Sequence, residues 1–105
     1  MIRIITTLIA LTVLPVSAQA SGWFVLARED GCMDPKVLVK ADGLPRVPAS
    51  PDDYAQLMRA RGATVTLGLP AGFPAELAGR VVQVTIGPSK APVFVREDVC
   101  RNFKQ

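Results

Sequence analysis

Histidine occurs nowhere in the 105 residues. That removes the usual general base near neutral pH and the commonest protein metal ligand. Ser-His-Asp and Cys-His hydrolysis are therefore excluded in their ordinary forms. Cysteine is scarce too: Cys32 and Cys100 are the only two, and so far apart, without histidine, they make no zinc site. No run of basic residues occurs, and a formal net charge of +3 is too weak a bias to argue for nucleic acid. No apolar run reaches the ~20 residues of a membrane span. The glycine-containing stretch Gly68-Leu69-Pro70-Ala71-Gly72 lacks the Lys and Ser/Thr of a P-loop. No cofactor and no metal are expected.

What is present begins with an export pattern. Arg3 gives a positive start, residues 4–16 are apolar apart from Thr6, Thr7, Thr12 and Pro15, and Ala18-Gln19-Ala20 puts small residues where a signal peptidase reads. Pro15 and Ser17 close the run too early for an anchor, and no cysteine near Ala20 offers a site for lipid. The expectation is a cleavable signal peptide over 1–20 and a single small α+β domain over 21–105. Such a domain is exported, to the periplasm or outside the cell, and keeps no transmembrane span.

Without Arg3, eleven Lys and Arg face nine Asp and Glu, a net charge of +2. The charge is uneven: residues 21–55 carry four positive and six negative groups, residues 56–105 seven and three. Salt screens such a dipole over ~8–10 Å, so an ordinary solvated surface accounts for it. A domain this small buries only ~60–65% of its unfolded surface. A Cys32–Cys100 disulfide, worth ~4 kcal/mol in the chain-entropy model, is the expected brace.

One stretch carries its start, interior and stop in local chemistry: residues 50–62. Ser50 is an N-cap, Pro51 sits where no amide is needed, and Asp53 approximates a capping box. Asp52 and Asp53 complement the positive end of the helix dipole, Arg59 and Arg61 the negative end. Gly62 provides the left-handed stop. Tyr54, Leu57, Met58 and Arg61 form one stripe with Ala55 beside it, so Leu57 and Met58 should be buried. The paired acids are thereby accounted for; adjacent on a helix, they cannot flank a scissile bond.

Around that helix the strands follow from period-two alternation and branched residues. Residues 23–28, 63–69, 80–86 and 91–96 read as strands, the last two joined as a hairpin through Gly87-Pro88-Ser89-Lys90. Pro92 belongs at an edge or a first position. Residues 36–41 fit a strand by their branched side chains and a helix by their spacing; Asp34-Pro35 before them favours a short helix. Residues 43–51, with Pro45, Pro48 and Pro51, read as a stiff surface connector. Residues 97–103 read as a helical turn returning Cys100 to Cys32. The expected fold is a three- to four-stranded, mainly antiparallel α+β sheet with one helix (about 51–61) packed on one face.

Two function classes remain. The first is a non-enzymatic exported domain that binds a protein partner or serves as an envelope accessory factor. Its candidate interface residues are Trp23, Phe73 and Phe94 with Arg59, Arg80 and Arg96, types that dominate interface energetics. The second is a thiol–disulfide redox protein using Cys32 and Cys100, because a helix starting near Asp34-Pro35 would lower the pKa of the Cys32 thiol. A weak cation site built from Glu29-Asp30 and Glu97-Asp98 lacks any calcium-loop spacing. A small-ligand carrier would need a cavity that 85 residues scarcely enclose beside a core. Sequence does not address the oligomeric state.

Overall fold

Branched and aromatic side chains dominate the five short segments that pair into one sheet. A computed structural model describes residues 22–27 and 31–103; the expected signal peptide lies outside the described residues. The strands are β1 (Trp23–Ala27), β2 (Gly31–Met33), β3 (Val65–Gly68), β4 (Val81–Ile86) and β5 (Val93–Arg96). They lie in the order β2-β1-β5-β4-β3, and every pairing is antiparallel. Among the described residues three helices accompany them: α1 (Val37–Asp42), α2 (Pro51–Arg59) and α3 (Glu97–Phe103). A 3-10 turn covers Ala75–Leu77.

Among the described residues the sheet has five strands where three or four are expected, and there are three helices where the expected fold packs one, α1 and α3 falling on the segments read as a short helix and a helical turn. The added strand is β2. Three residues are too few to show a period of two, and Gly-Cys-Met is held as a strand by its partner, with Leu26 opposite Cys32 and Ala27 opposite Gly31. The short helix α1 forms despite Val37 and Val39, whose branched side chains disfavour helix. Its entry is set by Asp34, whose side chain accepts the Lys36 amide at 2.9 Å. Its exit is Gly43, at φ +64°, whose N–H bonds back to the Val39 carbonyl. Left-handed backbone of that kind favours glycine.

Both faces of the sheet are covered. On one lie Val25, Val65, Val84, Ile86 and Phe94, packed under Tyr54, Ala55 and Met58 of α2 and under Leu38 and Leu44. On the other lie Val81 and Val95 with Phe24, Leu26 and Val93 around them, packed under Val99 and Cys100 of α3. The expected single helical layer is thus two layers. The reason is β5: it runs through the middle of the sheet, and Phe94 and Val95 point to opposite faces, both fully buried.

Helix α2 starts as its sequence dictates. Ser50 is extended at φ −163°, its hydroxyl accepts the Asp53 amide at 3.0 Å, and Pro51 begins the helix. Asp53 reaches back to the amide of Ala49 at 2.8 Å and receives Arg46 on both carboxylate oxygens. The connector is consequently no surface spacer. Arg46 ties it to the helix, and Leu44 and Pro48 are buried. The buried stripe runs Pro51, Tyr54, Ala55 and Met58, with Leu57 half-exposed at its margin.

The Arg46 hydrogen bonds hold the Asp53 carboxyl below the usual carboxylate range, against a smaller opposing effect of burial. A depressed folded-state pKa gives stability that is present above the unfolded value of about 4 and lost as pH falls through the folded one. In acid titrations of stability followed by circular dichroism, Asp53→Asn should flatten the loss below about pH 4. An unchanged acid limb would show that the pair contributes nothing.

Candidate functional site

Asp42 ends α1 with its side chain only 1% exposed, the one charged residue buried among those described. Three elements converge on it. The Tyr54 hydroxyl from α2 donates to Oδ2 at 2.6 Å. The Lys90 ammonium, from the β4–β5 turn, pairs with Oδ1. Arg61, just past α2, donates to the Asp42 carbonyl at 2.6 Å. The turn that delivers Lys90 closes tightly, with the Ile86 amide on the Lys90 carbonyl at 2.8 Å and Gly87 at φ +50°. Every polar group in this cluster faces another one, and its role is to lock α1 to α2 and to the hairpin.

Outside that lock lies a concavity in the surface. It is an open groove of about 630 Å³, lined by Lys36, Val37, Val39, Lys40 and Val47. The three valines are half-buried and the two lysines exposed. Val37 and Val39 also touch the α2-side core, so the groove floor is continuous with packed structure. Its chemistry is an apolar wall with two ammonium groups at the rim. Such a surface can hold an apolar side chain and attract a carboxylate.

The sequence-predicted candidates lie elsewhere. Phe94 is fully buried, its ring centroid 5.4 Å from that of Tyr54, so it offers nothing to a partner. Trp23 is half-buried, with the Arg96 guanidinium 4.8 Å from its ring centroid across the β1–β5 pairing. Phe73 is half-buried against the α3-side core. Arg59 donates to the Val65 carbonyl at 3.0 Å, on the edge strand β3. Arg80 pairs with Asp98, and its carbonyl accepts the Arg96 amide at 3.0 Å. Trp23, Arg80 and Arg96 thus meet at one end of the sheet, while Arg59 and Phe73 do not join them.

Cys32 and Cys100 form the expected disulfide, with Cα atoms 5.9 Å apart. It links the edge strand β2 to α3. Cys32 stands in a strand, not at a helix start, and Cys100 is 6% exposed. Cys32 therefore does not stand at the helix start that the redox reading expects of it. Of the acidic turns, Glu29 and Asp30 lie outside the described residues, whereas Glu97 pairs with Arg101 and Asp98 with Arg80. Among the described residues no three metal-ligating side chains stand together.

The groove escapes the sequence reading because residues 36–41 fit two periods. On a strand Lys36 and Lys40 would share one face with Val37 and Val39 on the other; on a helix the two lysines stand one turn apart with Val37 beside them. Val47, assigned to a spacer, could not be placed. Comparison of the chain with models of protein families, with curated proteins and with solved structures finds no match.

Proposed function

We propose that this chain is an exported, disulfide-braced domain that acts by binding a protein partner, and that the α1 groove is where it binds. The observation that carries the reading is the groove: three valines open to solvent on a surface whose other described cations are engaged within the fold. An open apolar concavity suits a protein segment better than a small ligand, which is typically enclosed over ~70–90% of its surface. Export is supported by the leader-like residues 1–20 and by the Cys32–Cys100 bond, since such bonds persist in oxidising compartments. Among the described residues, no helix is long and apolar enough to cross a membrane.

The reading is tested by chemical cross-linking of the tagged full chain in intact cells, compared with Val47→Glu. One stoichiometric partner is expected with the native chain and should be lost in the variant. A native chain that captures nothing above background, or a partner retained undiminished by Val47→Glu, counts against it. Far-UV circular dichroism of the variant confirms that the half-buried site tolerates the change.

A further inference from the structure

We infer that the partner segment taken up by the α1 groove is acidic as well as apolar: an extended stretch or helix end presenting an apolar side chain flanked by carboxylates. The inference rests on the groove being a protein-docking surface and adds the chemistry of what docks there.

Charge complementarity follows from how the described cations are used. Arg46 pairs with Asp53, Arg80 with Asp98, Lys90 with Asp42 and Arg101 with Glu97. Arg59 and Arg61 donate to backbone carbonyls, and Arg96 lies over Trp23. Lys36 and Lys40 alone have no such partner among the described residues, and these two line the groove together. Four residues apart, Lys36 at the N-cap of α1 and Lys40 within it, they stand one turn from each other.

Lys40 lies in the last turn of α1, where the dipole favours a cation, but the helix does not explain Lys36. Lys36 sits at the N-terminal end of α1, where the helix dipole disfavours a cation. No acid in α1 compensates it, since the first turn carries none and Asp42 is committed to Tyr54 and Lys90. Val37 and Val39 are poor helix formers with part of their surface in water. Two unpaired ammonium groups beside an uncovered apolar wall fit a bound segment whose carboxylates meet the lysines while its apolar side chain fills the space between α1 and Val47. Rim charges of this kind act chiefly on encounter rate and salt dependence. Any complex should therefore weaken as ionic strength rises.

The test uses the full mature-length chain, oxidised, and short synthetic probes followed by amide NMR. One peptide carries Leu-Phe flanked by aspartates, a second replaces these with asparagines, a third with lysines; decanoate is the fourth probe. The acidic peptide is expected to shift the amides of Lys36 to Lys40 and of Val47, and to do so less as salt is added. Lys36→Glu with Lys40→Glu should weaken it by roughly ten-fold or more, since like charges then face each other. Both positions are exposed, so an unchanged thermal midpoint verifies the fold of that variant. Equal binding of the neutral or basic peptide, no shift with any peptide, or shifts with decanoate alone overturns the inference. The cellular experiment separates the two levels. A partner lost with Val47→Glu but kept in full by the double lysine variant preserves the docking reading and removes the acidic one.

Discussion

Replacing Cys32 and Cys100 together with alanine is expected to lower the stability of the domain by about 4 kcal/mol, the chain-entropy value for so long a loop. The bond closes a sequence separation of 68 residues. Domains of this size hold roughly 0.05–0.15 kcal/mol per residue in total, so the loss removes between about a third and nearly all of the whole. Its local consequence is as specific. Strand β2 has three residues and one pairing neighbour, and the disulfide is its link to α3. Without it β2 should fray and α3 should loosen from the face that Val81 and Val95 form. Urea unfolding of the oxidised chain against the alanine variant measures the difference, with a steeper denaturant dependence expected in the variant as its unfolded state expands. A loss below about 1 kcal/mol would mean that the brace is dispensable and would reopen a redox role. The same question is answered directly by reduction: with Cys100 buried, the bond should resist potentials down to about −300 mV, where catalytic disulfides are already open.

Legibility in the sequence followed locality. The α2 helix was readable because its signals are contiguous: cap, proline, acids, stripe and glycine all lie within 50–62, and Ser50, Pro51 and Gly62 do what their chemistry predicts. The β4–β5 hairpin was readable for the same reason, with Pro92 just before β5 and opposite Val84. Strand β2 was not, because its state comes from β1 and not from Gly-Cys-Met. The second layer was not, because seven residues after β5 look like a turn until the sheet behind them supplies an apolar face. Helix α1 was half legible, and on that half the groove depended. The candidate interface residues stand out in the sequence by type, and type does not report exposure: Phe94 lies in the core, while Lys36 and Lys40, common surface residues, are the unpaired ones. Tyr54 shows the reverse error. As the leading edge of a stripe it had no assigned purpose, yet it is fully buried and bonded across 12 residues to Asp42.

That bond carries the second large effect. Tyr54→Phe keeps the ring packing against Phe94 and removes only the hydroxyl, leaving a buried carboxylate short of a donor; about 1–3 kcal/mol should be lost. Asp42→Ala should cost about 3 kcal/mol, because it strands the Tyr54 hydroxyl in the core and the Lys90 charge at its edge. The double variant should cost less than the two single losses combined, since both remove the same bond. A pH dependence follows as well. Burial first, then the hydrogen bond to Asp42 and the Asp42 charge, push the Tyr54 phenol well above its ordinary value, with Arg61 partly opposing. The folded chain therefore keeps a proton that the unfolded chain releases above about pH 10. Stability from this group is complete below that pH and is lost as pH rises towards the folded-state pKa, at up to about 1.4 kcal/mol per pH unit. Tyr54 is the only tyrosine in the chain, so the phenolate absorbance reports on it alone. That absorbance should rise together with unfolding and not before it, and Tyr54→Phe should flatten the alkaline limb of the stability curve. Ionisation at ordinary alkalinity in a chain still folded by circular dichroism would show that the hydroxyl meets water, and that Asp42 is not the lock between α1 and α2.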